Sequence, residues 1–220
     1  MDVKLPFDKD GCRIAFVIFI VAVLMGSLGT NMGWLGFLMT AGCLAFFRDP
    51  ERVHPSKKSV VISPADGIVL KITTGVPAEE LGLYGEWKKI SIFMSVFNVH
   101  VNRAPVTGVI ERMLYIPGRF FNVTLDKASE YNERRATFMR TPEDNRVVFV
   151  QIAGLLARRI RCDVTEGQEL ELGQRIGIIR FGSRVDVYLP KDSDILVEEG
   201  QITVAGETVL TDFSRKEIGE

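Results

Sequence analysis

The sequence predicts a mainly β fold with some α, led by an N-terminal hydrophobic helical hairpin. Two observations carry this. No charged residue occurs between Ile14 and Phe47, an apolar segment longer than the ~20 residues that span a bilayer as one helix. From Ser59 onward, short runs rich in Val, Ile and Phe alternate with Gly, Pro, Asp and Asn, the texture of antiparallel strands joined by tight turns. At 220 residues the chain has room for one good-sized domain and an appendage. Its net charge of -1 gives no sign of a nucleic-acid partner. Cys12, Cys43 and Cys162 are odd in number and form no CxxC pair, which suits a reducing compartment. With only His54 and His100, no histidine-rich metal site is expected.

The apolar segment is broken by Gly26-Ser27-Leu28-Gly29-Thr30-Asn31-Met32-Gly33, a turn-rich patch. The flanking pieces, Ile14–Met25 and Trp34–Phe47, read as two short helices. Lys4, Lys9 and Arg13 precede them, and Arg48, Arg52, Lys57 and Lys58 follow. Positive charge on both sides puts both ends in the cytoplasm. A secretory signal fits less well, because a second apolar segment stands where a mature soluble start belongs. The linker after Phe47 is kept extended by Pro50 and Pro55, and His54 within it reads as a solvated residue.

Strands are expected at Val60–Ile62, Gly67–Thr73, Lys89–Val96, Gly108–Tyr115, Arg146–Ala153, Arg158–Val164, Arg175–Arg180, Arg184–Leu189, Asp194–Val197 and Thr208–Thr211. One helix is expected within 124–136. Glu166-Gly167-Gln168 and Glu199-Gly200-Gln201 each precede a second glycine, Gly173 and Gly206, at the same spacing. This repeat is similar to the turn pattern of biotinyl/lipoyl-type flattened barrel-sandwiches, whose halves are related by a pseudo-two-fold. No modifiable lysine stands at a hairpin tip in the manner of a carrier domain.

The candidate chemistry centres on Gly182-Ser183, between two strands. Glycine there opens the backbone to dihedrals closed to other residues and leaves its carbonyl unhindered. Alone, the pair is an ordinary turn. Asp66, in Ser63-Pro64-Ala65-Asp66-Gly67, either caps a turn or supplies a carboxylate to orient an imidazole. His100 ends an apolar strand and has the pKa for proton transfer near neutrality. Arg103, three residues on, is suited to an anion. Arg119 with Phe120 and Phe121 combines a cation with aromatics, a pairing fitted to anionic headgroups.

Six motifs occur in order: F-F-R-D-P-E-R at 46–52, S-P-A-D-G at 63–67, H-V-N-R-A-P at 100–105, Y-I-P-G-R-F-F-N at 115–122, Y-N-E-R at 131–134 and R-F-G-S-R-V-D-V-Y-L-P at 180–190. Together they resemble the short, membrane-anchored form of phosphatidylserine decarboxylase. The resemblance implies a hairpin over 1–47 and a catalytic domain over 48–220 that cuts itself between Gly182 and Ser183. The products are a β chain, 1–182, and an α chain, 183–220, with Ser183 converted to an N-terminal pyruvoyl cofactor. Phosphatidylserine would condense with it as a Schiff base, lose carbon dioxide and leave as phosphatidylethanolamine, a step of phospholipid biosynthesis at the cytoplasmic side of the cell membrane. Ser183, His100 and Asp66 are the implied catalytic residues, with Arg103 and Arg119 as substrate or oxyanion contacts.

One departure stands out. Long-form members carry His-x-x-His where this chain has His100-x-x-Arg103. Arginine stays protonated and is a poor base, so either His100 serves both steps with Asp66 or the base for self-cleavage lies elsewhere. Other readings are a non-catalytic membrane-anchored scaffold and a decarboxylase of a related serine-headgroup lipid. Homo-oligomerisation is left open.

Overall fold

A computed structural model describes residues 6–29, 32–77, 81–118, 132–154, 160–180 and 182–214. The chain divides into two compact units, Met1–Glu51 with Val99–Val101, and Arg52–Asn98 with Asn102–Glu220.

In the first unit, α1 (Lys9–Ser27) and α2 (Met32–Phe46) form an antiparallel hairpin. Asp8 caps α1, its carboxylate accepting from Asp10 N at 3.0 Å. The open end is tied by Asp8 N donating to Phe47 O and Asp49 N donating to Pro6 O, both at 2.8 Å. The helices approach closely because glycine stands at the seam: a Cβ on Gly36 would lie 2.4 Å from Ala22 Cβ. Small residues at such a seam let backbones meet. Phe16, Val17, Trp34 and Leu38 face outward and are exposed. α1 is long and apolar enough to cross a membrane; Gly33–Phe46 is a shorter apolar helix.

The second unit is built from strands, together with the first residue of one that begins in the other unit. In chain order they are β1 (Val60–Ile62), β2 (Gly67–Gly75), β3 (Trp87–Met94), β4 (Val101–Arg103), β5 (Gly108–Ile116), β6 (Arg134–Arg140), β7 (Arg146–Ile152), β8 (Ile160–Cys162), β9 (Glu169–Leu170), β10 (Arg175–Ile179), β11 (Ser183–Pro190), β12 (Ile202–Thr203) and β13 (Val209–Asp212). The main sheet runs β12-β2-β3-β11-β7-β6-β5-β9. Two small sheets, β4-β10-β8 and β1-β13, complete the unit.

β11 lies at the centre. It pairs antiparallel with β3 along its whole length and with β7 from Arg184 to Tyr188. Its side chains alternate between faces. Val185, Val187 and Leu189 join Ile90, Ile92, Val61, Ile176, Ile179 and Leu210 in the main core, so the curled sheet and the two small sheets share one interior. Tyr188 faces the other way, with Trp87, Phe138, Val148 and Val150. On that side Arg184 and Asp186 form a buried ion pair, Nε to Oδ1 at 2.6 Å and Nη2 to Oδ2 at 2.8 Å.

The mainly β class and the helical hairpin agree with expectation. The four repeat glycines, Gly167, Gly173, Gly200 and Gly206, all take positive φ, as their turn pattern requires. Two elements differ. The expected helix over 124–136 gives way at its end to strand, since Arg134–Arg140 is β6, fixed between β5 and β7; residues 124–131 lie outside the described residues. Asp194–Val197 is not a strand. Leu196 N donates to Leu210 O, and no ladder develops around that bond.

Candidate active site

The centre of the site is the first residue of β11. Gly182 has φ +58 and nothing within 4 Å of where a Cβ would sit. Glycine is needed here for its left-handed backbone and not for space. Ser183 follows, fully buried, opposite Met94 of β3. Its Oγ donates to Met94 Sδ at 3.4 Å. Sulfur is a weak acceptor, so the hydroxyl is held lightly.

Two buried amides adjoin this contact. Asn102, the middle residue of β4, has Nδ2 3.8 Å from the same Met94 Sδ and 3.4 Å from Pro64 O. Gln151 of β7 donates from Nε2 to Asn102 Oδ1 at 2.8 Å. That strong bond fixes which end of the Asn102 amide is oxygen and turns its weakly engaged NH2 toward Met94. None of Met94, Asn102 and Gln151 was expected from the sequence. A signal existed: Gln151 is the lone polar residue in the buried run Val147–Ile152, and such a residue calls for a partner.

Asp66 occupies the turn before β2. Arg52 Nη2 reaches both its oxygens, at 3.1 and 2.9 Å, and Ala205 N donates to Oδ1 at 2.8 Å. Its recorded partners are thus a guanidinium and a backbone amide. Arg103 alternates with Asn102 on β4 and points to the opposite side; its Nη1 donates to Gly173 O at 3.1 Å. His54 is half-buried, with Nδ1 2.8 Å from Gly206 O. The solvated histidine expected in the linker is instead part of the β unit's structure.

His100 groups with the helical unit. It is fully buried, and its ring lies against Phe46, centroids 4.3 Å apart and planes 34° apart. Arg119 lies outside the described residues.

A family model described as phosphatidylserine decarboxylase matches residues 39–211. The chain belongs to the phosphatidylserine decarboxylase family. A protein of Rickettsia akari (strain Hartford), named phosphatidylserine decarboxylase proenzyme, is 52% identical over 96% of this chain and 92% of its own length. Proteins of the same name from Rickettsia felis (strain ATCC VR-1525 / URRWXCal2) and Rickettsia bellii (strain OSU 85-389) are 52% and 50% identical over the same shares.

In this decarboxylase-family chain the motifs that carried the resemblance take distinct places. S-P-A-D-G forms the turn that holds Asp66, and Pro64 O within it accepts from both Arg103 N and Asn102 Nδ2. H-V-N-R-A-P leads into and through β4, supplying Asn102 on one side and Arg103 on the other. G-S-R-V-D-V-Y-L-P is the turn glycine followed by the whole of β11.

Proposed function

We propose that this chain is a self-processing precursor that becomes a phosphatidylserine decarboxylase, converting phosphatidylserine to phosphatidylethanolamine and carbon dioxide. The observation that carries the reading is the geometry at Gly182-Ser183, in a chain of this family: a left-handed glycine ahead of a buried serine whose hydroxyl touches only a weak acceptor among its recorded contacts.

Processing begins when Ser183 Oγ attacks the Gly182 carbonyl carbon. A C–O bond forms, the C–N bond breaks, and the hydroxyl proton passes to the freed amine. A base then takes the Ser183 Cα proton, and the ester leaves as the carboxylate of Gly182, ending the β chain, 1–182. Ser183 is left as a dehydroalanine. Its enamine tautomerises, and water displaces ammonia, so that the α chain, 183–220, begins with a pyruvoyl group. The residues suit that group: a small, buried, uncharged site at a strand end, with an amide NH2 nearby.

The pyruvoyl carbonyl supplies an electron sink for loss of carbon dioxide from the serine headgroup. His100 supplies the proton that replaces the carboxyl group. Asp66, paired with Arg52, is the carboxylate that charge-balances the proton shuttle. Asn102 Nδ2 holds the oxyanion of the Gly182 carbonyl during cleavage; the resemblance offered Arg103 and Arg119 as substrate or oxyanion contacts. The helical hairpin anchors the chain in the cell membrane. The lysines and arginines at both its ends keep the catalytic domain on the cytoplasmic side.

Intact mass tests this directly. The mature protein should give two chains split after Gly182, the smaller reducible by borohydride at its N-terminus. Ser183→Ala should give one uncut, inactive chain; normal cutting and activity in that variant would sink the scheme.

A further inference from the structure

We propose that the β unit carries its own membrane-docking face, formed by the loop after β3 and the apolar row beside it. Its occupant is the surface of a bilayer that contains the lipid substrate. The inference rests on the decarboxylase reading above and adds how the substrate reaches Ser183.

The loop is a pinned turn. Ser95 N and Ser95 Oγ both donate to Asn98 Oδ1, at 2.8 and 2.7 Å, and Asn98 N donates to Ser95 O at 3.0 Å. That clasp holds Val96 and Phe97 at the tip, where Phe97 is 83% exposed. No charged residue occurs from Ile90 to Val99, so the tip enters an apolar medium without stripping water from an ion.

The row beside it comes from strand register. Ile202 of β12 pairs with Ile68 of β2, and Ile68 pairs with Phe93 of β3. Paired residues point to one face; Ile202 is 70% and Ile68 43% exposed. The same rung continues from Phe93 to Arg184, and the next joins Met94 to Ser183. The exposed apolar row therefore lies at the same strand end as the reacting serine, whose own side chain turns to the opposite face of the sheet. Further along the same strands, the exposed Lys71 pairs with Ser91, placing a cation where an anionic headgroup would lie.

Exposed apolar side chains gathered at one strand end mark a contact surface. A serine-headed lipid keeps its headgroup at the bilayer surface. The serine that receives it must come to that surface, and side chains such as Phe97 and Ile202 seat in the headgroup–acyl boundary. This favours a bilayer over a protein partner.

The test uses the full-length, matured protein and the double variant Phe97→Asp, Ile202→Asp. Self-cleavage on a denaturing gel confirms that the variant folds. Decarboxylation is then measured on phosphatidylserine in phosphatidylcholine vesicles and on a short-chain, monomeric phosphatidylserine. The expected result is a loss of about tenfold or more on vesicles with an unchanged rate on the monomeric lipid. Equal loss on both substrates, or on neither, overturns the docking face while leaving the decarboxylase reading in place. An unchanged vesicle rate with an altered oligomeric state assigns the face to a second copy and likewise overturns it. If the unmodified protein decarboxylates neither substrate, the underlying function fails and the docking face falls with it.

Discussion

Ser183 draws its meaning from neighbours that are distant in sequence. Asn102 and Gln151 are 49 residues apart, and only the pairing of strands brings their amides together beside Met94. Removing one amide leaves a buried polar atom of the other, Asn102 Oδ1 or Gln151 Nε2, without the bond that joined them, which costs about 1–3 kcal/mol. Asn102→Leu and Gln151→Leu should each lower stability by about that amount, and Asn102→Leu should also slow self-cleavage, read as uncut precursor over time. The double variant should be less destabilised than the two single effects added together; simple additivity would show that the amides do not act as a pair. Gly182-Ser183 and the turn of Asp66 each read alone as ordinary turns; the six motifs in order are what pointed to Ser183, Asp66 and His100 as site residues. The sequence did not point to Arg52 as the partner of Asp66, because an arginine in a charged linker looks like any solvated cation. His54 was misread for the same reason: its acceptor, Gly206 O, lies 152 residues away.

At the scale of elements, the hairpin was legible because an absence of charge needs no tertiary context to interpret. β6 was not: Arg134-Arg135-Ala136 has ordinary helix propensity, and hydrogen bonding to β5 and β7 overrides it. The smallest sheet, β1-β13, is held at one end by Asp212, which accepts from Lys57 Nζ, Ser59 Oγ, Ser214 N and Ser214 Oγ. Burial works against its charge, yet these hydrogen bonds outweigh that and hold the Asp212 carboxyl well below the usual carboxylate range. A depressed folded pKa adds stability above the unfolded value of about 4, and that stability fades as pH falls below it. Asp212→Asn should therefore lower the urea midpoint near neutral pH and lower it less at about pH 2. Equal effects at both pH values would contradict the assignment. In the hairpin, Gly36→Val would drive a side chain into Ala22. It should separate the helices, read as a lower melting temperature of the helical signal in detergent.

For the whole molecule, the decisive fact is where the proposed cut falls. β11 pairs with β3 from Ser183 to Pro190 and with β7 over most of the same length. Val185, Val187 and Leu189 are fully buried in the main core. A break before Ser183 severs the covalent link and none of these ladders. The two chains should therefore elute together in size-exclusion chromatography under native conditions and part only in denaturant. Release of the 183–220 fragment in native buffer would contradict the role given to β11.

Placing the reacting serine as the first residue of a central strand has a consequence for supply. On the proposed reading, the prosthetic group is neither loaded from a pool nor exchanged when damaged, since it is part of the sheet. Each polypeptide makes one and keeps it for life. A cell could then restore lost activity only by translating new chains, and the amount of working catalyst would follow synthesis and degradation of the protein itself, with no separate vitamin or cofactor pool to set it.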